Sequence, residues 1–289
     1  MLYAGTVNSA ETLFETQNKI FIKMSEGKKE ILLGDCLELM KDIPNGSIDM
    51  ILCDLPYGTT ACKWDTIIPF DKLWEQYERI IKQNGAIVLT ASQPFTSALV
   101  MSNIKLYKHC WVWDKISITN PFQVNYAPLK CHEDILVFYK NKPTYNAQKT
   151  DKPKKEQRPI KFTKNYSGDR DYKEGVYGNS KKGLGINHDE TKTNPKSIIQ
   201  IPSVYKKHTI HPTEKPVSLF EYLIRTYTNE NDLVLDNTAG SGTTAIACLN
   251  TNRQFIVMEK EQKYYDIILK RVADFNKNFE PQTLFGNEM

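Results

Sequence analysis

The sequence predicts an α/β protein: a mainly parallel sheet covered by helices on both faces, with one antiparallel strand at an edge. Three observations carry this. Short apolar runs alternate with stretches of helical period, the pattern of strand–helix–strand units. Tight hairpin signals are few, which disfavours a meander of antiparallel strands. The 289 residues, 40% of them apolar, suffice for one large core.

Strands are expected over residues 30–33, 48–53, 86–90, 110–113, 134–139, 233–235 and 255–258, and helices over 70–82, 94–102, 216–226, 243–249 and 260–276. The run Ile48-Asp49-Met50-Ile51-Leu52-Cys53 is fed by the turn Pro44-Asn45-Gly46-Ser47 and stopped by Pro56 and Gly58, so it reads as a buried strand opening into a rigid loop. Pro216 suits the first turn of a helix that sets Leu219, Tyr222, Leu223 and Thr226 on one side. Residues 110–113 and 134–139 have no helix between them and are assigned as the antiparallel pair. In sheets of this class ligands bind beyond the carboxyl ends of strands, where the strand order reverses. Two strands end in loops suited to that. Cys53 runs into Asp54-Leu55-Pro56-Tyr57-Gly58, and Leu235 into Asp236-Asn237-Thr238-Ala239-Gly240-Ser241-Gly242-Thr243-Thr244.

Composition excludes several classes. No run of eighteen apolar residues occurs, and Glu11, Glu15, Lys19 and Lys23 interrupt the first thirty residues, so neither a membrane span nor a secretory leader is expected. Cys36, Cys53, Cys62, Cys110, Cys131 and Cys248 form no Cys-x-x-Cys and no metal-ligand spacing with histidine; reduced thiols in a cytoplasmic protein, with no metal, are the expectation. The net charge of +4 is concentrated: residues 140–182 hold thirteen Lys/Arg against five Asp/Glu, interleaved with Tyr145, Phe162, Tyr166, Tyr172 and Tyr177. That mixture suits phosphates and base edges, and it equally fits a solvated insertion.

In the second loop, Gly240 and Gly242 allow close backbone approach to a ligand, and the helix start behind them offers free N–H groups. The spacing Gly240-x-Gly242-x-x-Ala245, with Glu259 nineteen residues after Gly240, satisfies a loose dinucleotide fingerprint. A nicotinamide enzyme and an S-adenosylmethionine enzyme both stay open on that motif alone.

Three elements together resemble one family. Asp54-Leu55-Pro56-Tyr57 is similar to the Asp-Pro-Pro-Tyr motif of DNA amino-methyltransferases, with Leu55 in the second position. Asp236 to Thr244 resembles their Asp-x-Phe-x-Gly-Ser-Gly-Thr-Thr loop, with Thr238 in place of Phe and Asn237 before it. His211-Pro212-Thr213-Glu214-Lys215-Pro216 resembles a third, cofactor-side signature. Catalytic motif first and cofactor loop last resembles the β-type circular arrangement, and Gly34-Asp35-Cys36 and the run ending in Glu259-Lys260 also fit.

The resemblance implies a Rossmann-like methyltransferase sheet and S-adenosylmethionine as cofactor. It implies catalytic roles for Asp54, Leu55, Pro56 and Tyr57, and cofactor contacts from Asp35, Cys36, His211, Thr213, Lys215, Asp236, Asn237, Thr238, Gly240, Gly242, Thr243 and Glu259. It divides the chain into an N-terminal extension (1–29), a catalytic half (30–139), a basic target-recognition insert (140–204), a cofactor-binding half (205–276) and a tail (277–289). The loop 116–133, with Asn120, Gln123 and Asn125, is a second candidate for touching DNA. The chemistry agrees: an exocyclic amino nitrogen is a poor nucleophile until acceptors bind its hydrogens, which the Asp54 carboxylate and the Leu55 carbonyl can do, with Tyr57 stacking on the base. The expected partner is double-stranded DNA, whose target base must be flipped out; a homodimer and a restriction partner stay open. Asp at the first motif position and Tyr at the last lean toward N6 of adenine, because cytosine members more often begin with Ser. The alternatives are N4-cytosine methylation, a non-catalytic DNA-binding module and, less favoured, an NAD-dependent oxidoreductase.

Overall fold

The computed structural model describes residues 12–16, 19–23, 28–60, 62, 65–152, 191–204 and 214–279. Its strands are β1 (Thr12–Thr16), β2 (Lys19–Lys23), β3 (Lys29–Leu33), β4 (Ile48–Asp54), β5 (Ile81–Ala91), β6 (Tyr107–Asp114), β7 (His132–Phe138), β8 (Thr150–Asp151), β9 (Lys192–Thr193), β10 (Ile198–Gln200), β11 (Leu233–Asp236) and β12 (Gln254–Glu259). Its helices are α1 (Cys36–Leu39), α2 (Phe70–Ile80), α3 (Phe95–Ser102), α4 (Val217–Tyr227), α5 (Thr243–Asn250) and α6 (Gln262–Phe279). The chain divides into two units, residues 1–146 with 197–289, and residues 147–196. In the second, the described residues form the antiparallel pair β8–β9.

The larger unit is built on one sheet in the order β1-β2-β3-β12-β11-β4-β5-β7-β6-β10. From β3 to β5 every neighbour pair is parallel. The reversed strand is β7, antiparallel to both β5 and β6. It was expected at an edge; it stands inside, because β6 returns beyond it and β10 adds a parallel strand to β6. A three-residue strand such as β10 leaves no periodic signal in a sequence. At the other edge β1 and β2 form an antiparallel hairpin on β3, a pairing of backbone groups that side-chain patterns do not announce.

Alternation along the strands divides the core between the two faces. Met50 and Leu52 face one side with Val234, Phe255 and Val257, against α4, α5 and α6 through Leu219, Leu223, Cys248, Ile268 and Val272. Ile51 and Cys53 face the other, with Leu235, Ile256 and Met258, against Leu73, Trp74, Tyr77 and Ile80 of α2 and Phe95 and Leu99 of α3. Near-continuous apolar strands are what double coverage demands.

Two boundaries differ from the expected ones for visible reasons. The helix expected to reach residue 82 stops at Ile80, because Ile81 is extended and pairs with Ile48, so that β5 is far longer than 86–90. The helix expected from 260 begins at Gln262, because the Glu259 carboxylate takes the N–H groups of Lys260 and Glu261 just before it. Among the described residues no helix is long and apolar enough to cross a membrane.

Gly85 lies where β5 meets β4: a Cβ there would fall 2.7 Å from the Ile81 side chain and 2.8 Å from the Asp49 carbonyl oxygen. Gly85→Ala is therefore expected to cost about 1–3 kcal/mol through overpacking. Urea denaturation should show a lower midpoint with an unchanged slope.

Candidate active site

The chain runs outward from the middle of the sheet in both directions: β4 is followed by β5 on one side, and its parallel neighbour β11 by β12 on the other. This is the switch point, and the carboxyl ends of β4 and β11 carry the two loops singled out in the sequence. Both line one cleft of about 1290 Å³, together with Asp35, Cys36, Trp113, Lys115, Glu133, Lys215 and Glu259. The volume exceeds the ~300–1,000 Å³ of an ordinary small-ligand pocket, leaving room for two ligands side by side.

Asp54 closes β4 and its carboxylate binds three other side chains of the site. Its Oδ1 accepts from the Tyr57 hydroxyl at 2.8 Å and from the Thr90 hydroxyl at the end of β5, and these two hydroxyls are 3.0 Å apart. Its Oδ2 accepts from Lys215 Nζ at 2.5 Å. The Tyr57 ring stacks on Phe95 with centroids 5.1 Å apart and planes at 25°. Burial, with the Asp54 charge adding to it, pushes the Tyr57 phenol well above its ordinary pKa. Leu55 is buried between the strand end and the partly exposed Pro56. Beyond Tyr57 the loop is tied by Asp65, a residue without any sequence signal. Its carboxylate accepts from the N–H groups of Gly58 (2.8 Å), Thr59 (2.9 Å) and Thr60 (2.6 Å). Burial works to raise the Asp65 pKa, but the Thr60 hydroxyl and these N–H groups together hold it below the ordinary range.

Asp236 closes β11 in a parallel manner. It accepts from the Thr238 N–H at 3.0 Å and from the Thr244 hydroxyl of α5, folding the glycine loop back on itself. It is 2% exposed, and burial pushes its carboxyl up to about 7. Gly240 donates to Glu259 Oε2 at 2.8 Å, and Gly242 has φ +83° with the Ile268 side chain 3.0 Å from where a Cβ would stand, so glycine is required there on two counts. Glu259 Oε1 accepts from the N–H groups of Lys260 and Glu261 at 2.9 Å. Burial raises the Glu259 carboxyl above its ordinary pKa, the three N–H groups pulling against it. Oε2, with a single N–H donor, is the Glu259 oxygen that retains acceptor capacity.

The two departures from the family pattern make contacts of their own. The Thr238 hydroxyl donates to the Asp54 carbonyl at 3.1 Å, linking the two loops. The Asn237 Oδ1 accepts from the Cys53 thiol at 2.8 Å and the Tyr77 hydroxyl at 2.6 Å, while its Nδ2 is buried without a hydrogen-bond partner among the described residues. Asp35 caps α1 by accepting from Leu37 N–H at 2.9 Å, and Cys36, whose thiol pKa burial raises, lines the cleft beside it. Thr243 starts α5 and donates to the Lys215 carbonyl at 3.3 Å. The Lys215 side chain, expected toward the cofactor, reaches instead to the first loop, onto Asp54 and to 3.5 Å from Glu133. Arg271 of α6, absent from the sequence reading, bonds both Ser241 and Glu214 and so ties the glycine loop to the start of α4. His211 and Thr213 lie outside the described residues.

A parallel sheet with a glycine loop on one side of its switch point and an acidic acceptor loop on the other defines an enzyme that holds a nucleoside cofactor against a second substrate. The DNA methylase family model, of the N6/N4 type, matches residues 48–270, and the chain belongs to this family of S-adenosylmethionine-dependent DNA amino-methyltransferases. A type II methyltransferase of Haemophilus parainfluenzae, M.HpaI, is 25% identical over 266 residues, covering 86% of this chain and 76% of that one. The DNA adenine methyltransferase YhdJ of Escherichia coli strain K12 is 26% identical over 84% of this chain and 82% of its own. Among solved structures, the M1.HpyAVI–SAM complex aligns with a TM-score of 0.54 at 25% identity, covering 83% of this chain and 98% of that one.

The residues present fit the cofactor. Backbone without a side chain at Gly240, carboxylate residues Asp35, Asp236 and Glu259, and the amide residue Asn237 border the cleft, a polar set suited to a nucleoside carrying an amino acid.

The raised pKa of Asp236 has a consequence for stability. An unfolded aspartate titrates near ~3.9, so the folded chain binds this proton more tightly. The contribution is fully present below about pH 4 and is lost as pH rises through about 7. Asp236→Asn, which keeps an acceptor for Thr238 and can donate to Thr244, should gain stability over the native chain across that interval, by up to about 4 kcal/mol. Urea denaturation at a series of pH values checks this.

Proposed function

We propose that the chain transfers a methyl group to the N6 amino group of adenine in double-stranded DNA, with the base rotated out of the helix. The observation that carries this reading is the shared cleft. The Asp54–Tyr57 loop, a set of acceptors beside an aromatic ring, opens onto the same space as the glycine loop. Adenine is favoured over cytosine by Asp54 at the first motif position and by the relative whose name is DNA adenine methyltransferase.

When bound, S-adenosylmethionine supplies a methyl group made electrophilic by a sulfonium. The chain's residues do the rest. The Asp54 carboxylate and the Leu55 carbonyl accept the two amino hydrogens, letting the nitrogen become tetrahedral and directing its lone pair. Pro56 keeps the preceding residue extended, and the Thr238 bond to the Asp54 carbonyl fixes the strand end. Tyr57 offers a stacking face backed by Phe95. Asp54 is also placed to take the proton that the methylated nitrogen sheds. Asp35, Cys36, Asp236, Asn237, Thr238, Gly240, Gly242, Thr243 and Glu259 hold the cofactor, with His211 and Thr213 in the same role.

Residues 140–204 are assigned to target recognition. Their lysines and arginines supply phosphate contacts that offset the few kcal/mol of base flipping. The loop 116–131 supports a second DNA contact. It is stiffened from within, by Asn120 donating to Gln123 Oε1 (2.9 Å) and to the Pro128 carbonyl (3.1 Å), yet it shows Phe122 at 95% and Tyr126 at 75% exposure. A rigid loop displaying aromatics suits base contact better than solvent.

Incubation with unmethylated DNA and S-adenosylmethionine, followed by nucleoside digestion and mass spectrometry, should yield N6-methyladenine. N4-methylcytosine would move the reading to cytosine, and the absence of both products would overturn it. Asp54→Ala should lower methyl transfer by about 10²–10³-fold while gel-shift affinity for DNA is retained.

A further inference from the structure

Both oxygens of the Asp54 carboxylate are taken. Oδ1 receives the Tyr57 and Thr90 hydroxyls, which the fold holds in place, and Oδ2 receives Lys215. The Lys215 ammonium also lies 5.6 Å from the centroid of the Tyr57 ring, whose stacking partner is Phe95. A base that stacks on Tyr57 and gives its amino group to Asp54 Oδ2 needs the space this ammonium fills. Next to it stands an acceptor only loosely engaged: Glu133 Oε2 is buried, makes no hydrogen bond among the described residues, and forms a long ion pair of 3.5 Å with Lys215 Nζ. Its other oxygen is held by Lys115.

We propose that Lys215 is a positioning residue that keeps the base site filled in the absence of DNA and moves from Asp54 to Glu133 when the target base enters. This rests on the proposed role of Asp54 as acceptor of the amino group. The shift leaves the total at two carboxylates and two ammonium groups and transfers no proton; Asp54, without its ammonium, keeps the Tyr57 and Thr90 hydroxyls and takes the amino hydrogen of the base in its place. It also favours the reaction. As the amino nitrogen gains the methyl group it becomes cationic, and an ammonium still bound to Asp54 would repel it; on Glu133 that ammonium is one carboxylate away. Lysine suits the task, because a flexible four-carbon stem lets a point charge change partners while its root stays fixed. The root is fixed here by the Thr243 hydroxyl on the Lys215 carbonyl. Burial alone would depress the ammonium's pKa, but Asp54 and Glu133 outweigh it and hold the pKa above its ordinary value, so the charge persists in both positions.

Two substitutions on one salt bridge should act in opposite directions. Once the methylated site has been mapped, a duplex carrying 2-aminopurine beside the target adenine reports extrusion of that adenine by the fluorescence gained on loss of stacking in the complex. Glu133→Gln weakens the second position and leaves Lys215 on Asp54. The fluorescence gain and kcat are expected to fall by about 10- to 100-fold, the worth of a hydrogen bond to a charged group, with S-adenosylmethionine affinity and melting temperature close to native. Lys215→Met removes the competitor: the fluorescence gain should equal or exceed the native one, even though kcat falls. If Lys215→Met melts early, the double variant Lys215→Met/Glu133→Gln, which removes one charge of each sign, should keep the native fluorescence gain. A parallel fall in both single variants, as a purely structural ion pair requires, or a native response from Glu133→Gln, overturns the proposal. Absence of methylated adenine with the native chain would instead overturn the underlying reading of the function.

Discussion

A carboxylate at the end of a buried parallel strand is expensive to keep, and the way Asp54 is kept organises the rest of the site. Its surroundings supply a phenol from its own loop, a hydroxyl from the neighbouring strand and an ammonium from the start of α4, while its backbone carbonyl is held by Thr238. Three segments distant in the chain, at Thr90, Lys215 and Thr238, thereby converge on the loop that carries it. Removing any of these partners would leave charge or a polar group unsatisfied in low dielectric, which is why the cluster behaves as a unit.

The glycine loop obeys the same logic with the sign of the task changed. Asp236 and Glu259 are spent largely on the protein's own N–H and hydroxyl groups, so that loop and helix start are shaped before any ligand arrives. Preorganisation of this kind shifts the ordering cost from binding to folding. Arg271 extends it, joining Ser241 to Glu214, so the loop that follows β11 and the segment that delivers Lys215 are positioned by one guanidinium. The two halves of the cleft are in this way coupled through short, directional contacts rather than through packing alone.

Much of the fold was legible in the chain because its cause is local. Ile48 to Cys53 had to be a strand buried on both faces, since its residues are apolar on both sides of the pleat, and it is. The α4 stripe of Leu219, Tyr222, Leu223 and Thr226 meets the core with Tyr222 only partly buried, and the buried face is wider than the stripe, taking in Phe220, Ile224 and Tyr227. What escaped was decided by pairing: β1 and β2 attach through backbone bonds to β3, β10 is three residues long, and β5 continues to Ile81 because Ile48 is there to pair with it. The loop anchors Asp65 and Arg271 escaped for a related reason, since a single Asp or Arg carries no periodicity and its partners lie elsewhere in the chain.

By itself the sequence determined which chemistry the chain can hold: an acidic acceptor loop, a glycine loop and strands to end in them, all consequences of residue type and short spacing. Only the tertiary structure decided what each group faces. Lys215 belongs by sequence to a cofactor-side motif, yet its ammonium rests on Asp54 and beside Glu133, residues 161 and 82 positions away, and Thr238 reaches back to Asp54 across 184. A charge's partner is set by where strands place it in space, and that follows from the burial of the whole sheet rather than from the residues beside it in the chain.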